Sequence, residues 1–353
     1  MYRPVRTSRK LLALAATVAL ALPLAACAEG AEDSSSGDSG AKAEVTIGVG
    51  GKALMVYLPT TLADELGYFD EEGVDVTFND LQGGSKALQA LQGGSVDVVN
   101  GFYEHTIQMQ AKNRDLKAFV AMLRYPSMVL AVSPQAKGIA SVKDLKGKKV
   151  GVTAPGSSTD FFLKYLLKGN GLEPDAASVH GIGGDASALA AVENGQVDAA
   201  VLLEPSYSLL DKRAGAGKVK VLADTRTEEG VKEVFDVTSY PSAVLYSNAD
   251  WVEENSETAG KMAKAIIRAL DWIEQHSAQE IADKMPKEYG GDDPETYVAA
   301  LEGAKDAYSQ DGLIETEGAE AVAEVLKLSN PEVAEAELDV SKTFTNEFAE
   351  ASS

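Results

Sequence analysis

The stretch Gly83-Gly84-Ser85-Lys86-Ala87-Leu88-Gln89-Ala90-Leu91-Gln92-Gly93-Gly94-Ser95-Val96-Asp97 returns 101 residues later in altered form. There Ala188-Leu189-Ala190-Ala191-Val192 answers Ala87 to Leu91, and Gly195, Val197 and Asp198 answer Gly94, Val96 and Asp97. In each copy a Gly-Gly pair and a polar N-cap candidate, Ser85 or Asp185, open an apolar helical face that a glycine ends before a strand. Such a phrase is common among α/β chains. The constant offset also fits one helix–turn–strand unit used once in each of two lobes.

Outward from this stretch, short apolar runs alternate with helical patterns from Glu44 onward, the signature of βα units around a parallel-leaning sheet. Val45–Ile47 predicts a first strand, leading through Gly48-Val49-Gly50-Gly51-Lys52 into a helix from Val56 to Leu66. Val74–Phe78 and Ser95–Val99 read as the next strands, the second followed by Asn100-Gly101-Phe102-Tyr103. Phe119–Leu123 is a further strand and ends in Arg124-Tyr125-Pro126. Ser141 to Val152 (SVKDLKGKKVGV) reads as a helical turn, a glycine stop and the strand that begins a second lobe. Thr153 to Asp160 (TAPGSSTD) then opens the apolar helix Phe161–Leu167. Ala199–Leu203 is a strand running into Glu204-Pro205, and Ser239–Tyr246 is extended. Helices are expected over Glu257–His276, Pro294–Tyr308 and Thr316–Leu328.

The 353 residues are 45% hydrophobic and 24% charged, too apolar for a disordered chain and long enough for about two domains. Acids outnumber bases 54 to 32, a net charge of −22, and no stripe of clustered Lys and Arg is present. Nucleic acid is therefore not an expected partner. A single cysteine excludes a disulfide framework and a CxxC zinc site. His105, His180 and His276 fall on separate segments with no HExxH, so no metal is expected. Gly48, Gly50 and Ala53 match a dinucleotide fingerprint only weakly, and no cofactor is expected. Neither a Ser/His/Asp nor a Cys/His set can be assembled, so the chain does not read as an enzyme.

Arg3, Arg6, Arg9 and Lys10 precede an apolar run from Leu11 to Leu24 that is too short to span a bilayer. The run ends Leu24-Ala25-Ala26-Cys27, and Cys27 is the single cysteine. This resembles a bacterial lipoprotein signal, which implies removal of residues 1–26 and diacylation at Cys27. Residues 27–43 then form an acidic, flexible tether, and the mature chain carries 28 bases against 54 acids. Two acyl chains suffice for stable anchoring. The expected location is outside the cell, on the outer face of the cytoplasmic membrane.

An ordered set of motifs runs from Gly67-Tyr68-Phe69-Asp70-Glu71-Glu72-Gly73-Val74-Asp75-Val76 through the Gly-Gly-Ser helix start and Gly93–Asp97 to SVKDLKGKKVGV and Thr153–Thr159. Over roughly residues 44 to 330 it resembles the nitrate/sulfonate/taurine class of ABC-importer substrate-binding proteins, whose fold is shared with the THI5-like thiamine-precursor proteins. The resemblance implies a type II periplasmic-binding-protein fold, two α/β lobes joined by crossover segments near Met128–Ser133 and Thr238–Tyr246. Lobe I is expected at residues 44–130 plus 240–345 and lobe II at 131–239, with the C-terminal helices returning to lobe I. The resemblance further implies a monomer that captures a small organic anion, of sulfonate or carboxylate type, and delivers it to an ABC permease and its ATPase subunit. A pyrimidine-type thiamine-precursor ligand, or a sensor uncoupled from transport, are the alternatives. The cysteine-rich motif of the THI5-like pyrimidine synthase is missing from this chain.

Ligands of open parallel sheets sit beyond the carboxyl ends of the strands, and helix N-termini favour anions. The candidate contacts are Gly156, Ser157, Ser158 and Thr159 in one lobe and Gly84 and Ser85 in the other. Gly184 and Asp185 hold the equivalent position in the repeat, where Asp185 either touches ligand or caps its helix. Lys52 and Arg124 are bases that could pair with the anion, or a solvated lysine and a structural ion pair. Gly101, Phe102, Tyr103, Tyr125 and Tyr240 lie at strand ends or crossovers and could wall a flat ligand. Glu204 reads as a brace, and His105 either approaches ligand or is a buried helix histidine.

Overall fold

The computed structural model describes residues 42–352. The expected signal peptide, Cys27 and nearly all of the expected tether lie outside these residues. Ten strands are present among them: β1 Ala43–Val49, β2 Val74–Asp80, β3 Val98–Phe102, β4 Leu116–Ala121, β5 Val129–Val132, β6 Lys149–Val152, β7 Ser178–Gly181, β8 Ala199–Leu202, β9 Val221–Asp224 and β10 Ala243–Asn248. They form two five-stranded sheets, ordered β2-β1-β3-β10-β4 and β7-β6-β8-β5-β9.

The two sheets follow one plan. In the first, β1 is parallel to β2 and β3, while β10 is antiparallel to β3 and β4. In the second, β6 is parallel to β7 and β8, while β5 is antiparallel to β8 and β9. Each sheet thus takes in, at its fourth position, one reversed strand that adjoins a passage between the lobes. The inner parallel strands β3, β6 and β8 are buried on both faces and read as apolar runs, whereas the edge strands β2 and β7 are partly exposed.

The 101-residue echo has a structural basis. The Gly84–Gln92 helix precedes β3 as the Ala186–Glu193 helix precedes β8. Asp97 accepts the Thr46 N–H on Oδ2 at 2.8 Å and donates its own N–H to the Thr46 carbonyl at 2.9 Å. Asp198 does the same with Lys149, at 2.9 and 2.8 Å. One aspartate in each lobe therefore fixes the register of that lobe's central strand.

Two expectations shift. β3 begins at Val98 rather than Ser95, because Ser95 is held in the turn by the Ala90 carbonyl at 3.0 Å and Asp97 is committed to Thr46. Asn100, Gly101 and Phe102 accordingly lie within the strand, not after it. The expected crossover at Met128–Ser133 is largely β5 itself, so the first passage ends before Val129, and the second ends before β10 at Ala243.

The C-terminal helices at Ser256–Gln275, Pro294–Ala304 and Thr316–Ser329 follow the sequence reading to within a few residues. The first of them buries Met262, Ile266 and Leu270 along one stripe. Its Arg268 pairs with Glu72 at 3.0 Å and lies over the Tyr68 ring at 4.1 Å, fastening it to the Gly67–Val76 motif. The Pro294–Ala304 helix is capped by Asp293, which also pairs with Lys212 of the second lobe at 2.9 Å.

Candidate functional site

The loops after β1, β3, β6 and β8 converge where the two sheets face each other, and there the lobes touch directly. The Ser85 N–H donates to Ser157 Oγ at 3.0 Å, and the Ser85 hydroxyl donates to the Pro155 carbonyl at 2.9 Å. Ser158 donates its hydroxyl to Glu104 Oε2 at 2.8 Å, and Tyr240 donates to Glu104 Oε1 at 3.2 Å. The Met55 N–H reaches the Glu204 carbonyl at 3.0 Å. Two glycines permit this approach. A Cβ on Gly83 would stand 2.8 Å from the Ala154 Cβ, and one on Gly184 would stand 2.8 Å from Leu54 Cδ1.

Within this junction Gly50, Tyr57, Gly84, His105, Ser157 and Ser158 frame a void of about 10 Å³, room for about one water. The Gly84–Gln92 and Ser158–Gly169 helices start at it from opposite lobes, and neither has a side-chain cap. The backbone N–H groups of Gly84, Ser158 and Thr159 have no acceptor among the described residues. Uncapped first-turn amides carry the partial positive charge of the helix end.

Burial governs the titratable groups here. Desolvation pushes the Glu104 carboxyl up to about 7, against the hydrogen bonds from Ser158, its own N–H and Tyr240. His105 is fully buried, and desolvation pushes it down to about 4 against a smaller pull from the Gly156 backbone. It is therefore a neutral imidazole at pH 7, with Nδ1 3.1 Å from the Tyr246 hydroxyl. His105 Nε2, which makes no hydrogen bond of normal geometry, is left at the void. Asp160 accepts the Gly156 N–H at 2.7 Å and Lys164 Nζ at 2.9 Å on one oxygen, and its other oxygen is buried without a partner among the described residues.

The junction gathers Gly84, Ser85, Phe102, Gly156, Ser157, Ser158, Thr159, Gly184 and Tyr240 from the residues singled out in the sequence. Phe102 stands edge-on to Tyr57 at 6.2 Å, and Thr159 also ties its loop through the Thr153 N–H at 3.0 Å. The others go elsewhere. Lys52 places Nζ 4.5 Å above the Phe78 ring. Gly101 packs on Tyr246 inside the sheet, and Tyr103 is buried with its hydroxyl on Thr343. Arg124 donates to the Asp306 carbonyl at 2.8 Å, and Tyr125 donates to Glu228 at 3.2 Å. Asp185 caps its own helix through the Ser187 N–H at 3.1 Å. Glu204 is a brace, held by Arg226 at 2.8 Å and by Ser208. The void consequently has no cationic side chain on its walls. Tyr57, Leu54 and Met128 line it without having been marked by the sequence, since each is an apolar or aromatic residue in an otherwise ordinary buried run.

Residues 55–280, well over half of the chain, match the family described as NMT1/THI5 like. The chain belongs to the NMT1/THI5-like family. Among the relatives of this NMT1/THI5-like protein is a Bacillus subtilis chain provisionally named an aliphatic sulfonates-binding protein, 28% identical over 264 residues, 73% of each chain. The 4-amino-5-hydroxymethyl-2-methylpyrimidine phosphate synthase of Schizosaccharomyces pombe is 27% identical over 153 residues, 43% of each chain. A Bordetella bronchiseptica RB50 protein of solved structure is 40% identical, with a TM-score of 0.84 over 88% of this chain and 97% of its own. The alkanesulfonate-binding protein SsuA of Xanthomonas axonopodis pv. citri, solved with bound MOPS, is 18% identical with a TM-score of 0.67 over 87% of this chain and all of its own. The NMT1/THI5-like chain has the periplasmic-binding-protein fold, with its two sheets as the two lobes. Among its described residues no group of three His, Cys, Asp or Glu side chains could hold a metal ion, and no helix is long and apolar enough to cross a membrane.

Proposed function

We propose that this chain is the extracytoplasmic solute-binding component of an ABC importer and captures a small organic anion between its lobes. The observation that carries this is the pair of opposed helix starts, with free amides at Gly84 on one lobe and at Ser158 and Thr159 on the other. A hydrogen bond to a charged group contributes about 1.5–3 kcal/mol, so three or four donors reach the ~8 kcal/mol of a micromolar complex without any cation. Lys52 and Arg124 being engaged elsewhere, amides and hydroxyls carry the recognition. A void holding about one water means that capture requires the lobes to part and close again around the solute.

Binding without chemistry is the reading that the site favours over the synthase activity of the Schizosaccharomyces pombe relative. His105 is neutral, buried and hydrogen-bonded to Tyr246, and the nearby serines point at Glu104 and at each other. The test is titration of methanesulfonate, taurine, nitrate and aromatic carboxylates by calorimetry. Changing Ser157 and Ser158 together to Ala should weaken the best of these by at least about tenfold, the worth of one charged hydrogen bond. Unchanged affinity would remove the anion site from this junction, and turnover of any of the compounds would overturn the reading as a binding protein. Attachment through a lipid on Cys27 completes the proposal, and Cys27→Ser should release the protein from the membrane fraction. Retention of that variant in the membrane would refute the anchor.

A further inference from the structure

A second chamber lies between the lobes, against the Pro294–Ala304 helix. It measures about 80 Å³, several times what one water needs. Its wall is apolar, with Met55, Val56 and Ala300, and its floor carries Ser127, Ser208 and Arg226. Ser127 is only 6% exposed, and its hydroxyl has no partner among the described residues. The Arg226 charge is already matched, by Glu204 at 2.8 Å and Asp224 at 2.6 Å. The floor therefore offers hydrogen bonds without net positive charge.

This chamber and the void under the serine turns share a partition. Leu54 lines the void and Met55 the chamber; the same holds for Met128 and Ser127, and for Leu203 and Glu204. Across the partition runs the bond from the Met55 N–H to the Glu204 carbonyl, at 3.0 Å. That bond joins the lobes, so their parting opens one compartment to the other.

Resting on the anion reading above, we propose that the two compartments form one divided site. The serine turns hold the anionic head, and the chamber takes a short organic tail ending in an uncharged hydroxyl or carbonyl that Ser127 reads. A buried hydroxyl without a partner penalises a plain alkyl end, because the alkyl end leaves it unpaired. An anionic end would be stripped of water with no free counter-charge, because two carboxylates already match the Arg226 guanidinium and one of them, Glu204, lines the chamber.

The test is calorimetry on the full-length protein with methanesulfonate, propanesulfonate, 3-hydroxypropanesulfonate and 3-sulfopropanoate, whose tail ends in a carboxylate. The hydroxylated probe should bind at least about tenfold tighter than methanesulfonate and severalfold tighter than the other two. Ser127→Ala should erase its advantage over propanesulfonate. Ala300→Leu, or Ala304→Leu if the first does not fold, should erase the gain from the tail and leave methanesulfonate binding as it was. A tail gain that survives the filled chamber, or no tail gain while methanesulfonate binds, overturns the divided site alone. Failure of all four probes overturns the anion head and the divided site with it.

Discussion

Replacing Gly83 by valine is expected to abolish tight capture while both lobes stay folded. The position lies on the first lobe, and a Cβ there would stand 2.8 Å from the Ala154 Cβ on the second, closer than real Cβ contacts come. Its backbone is extended, with φ 165°, so a side chain adds no strain within its own lobe. The clash exists only when the lobes meet. Relieving it holds them apart, and the hydrogen bonds of Ser85 to Ser157 and of Ser158 to Glu104 stretch with it. A solute then engages the amides of one helix start and not both. Losing two charged hydrogen bonds costs about 3–6 kcal/mol, on the order of a hundredfold or more in affinity. Calorimetry should read that loss, and small-angle scattering should find no compaction when solute is added. Gly184→Val should have a milder effect, because the atom it meets is the end of a flexible leucine. Gly169→Ala, with nothing within 4 Å, is the control. Wild-type affinity and compaction in the Gly83→Val protein would rule out closure through this contact.

The same glycines explain what could be read before the fold was known. Gly83-Gly84-Ser85 and Gly156-Ser157-Ser158 carry local meaning: a close approach, a turn and a helix start are written in consecutive residues. The Asp97 and Asp198 echo was legible for the same reason, as a short phrase with a fixed spacing. Charge partners were not. Lys52 and Arg124 look alike in sequence to bases that would greet an anion, but one lies over Phe78 and the other reaches Asp306, 182 residues away. Tyr103 follows a strand end as a wall residue would, but its hydroxyl finds Thr343, 240 residues on. Long-range partners of this kind depend on how helices from the end of the chain pack on the first lobe, and no local pattern encodes that. Glu104 reads in sequence as one of four acids near the expected cleft, with Asp160, Asp185 and Glu204, a set that keeps a cationic or zwitterionic ligand open. Its importance comes from burial at the lobe junction, where Ser158 and Tyr240 reach it from two other segments.

That burial gives the second prediction: anion capture should weaken as pH rises through about 7, and Glu104→Gln should flatten the dependence. Glu104 sits at the lobe junction, and desolvation holds its carboxyl up to about 7 from an ordinary 4.5. Below that value it is neutral and tolerates an anion at the neighbouring helix starts. Above it, a buried negative charge opposes the solute. The effect on folding has a definite sign. A carboxyl whose folded value lies above its unfolded one stabilises the fold fully below pH 4.5, and this contribution is lost as pH rises through about 7. His105 runs the other way, because its folded value of about 4 lies below the ordinary 6.5 and its contribution grows between them. The two trends offset one another from about pH 4.5 to 6.5, so the stability of the unaltered protein conceals both. The difference between Glu104→Gln and the unaltered protein removes His105 and every surface carboxylate from the comparison. In chemical denaturation that difference should be near zero at pH 4.5 and rise to at most about 3 kcal/mol in favour of the glutamine by pH 8. A difference that stays flat across this range would mean that Glu104 is ionised throughout, and the junction would then have to bind its solute with a permanent buried negative charge beside it.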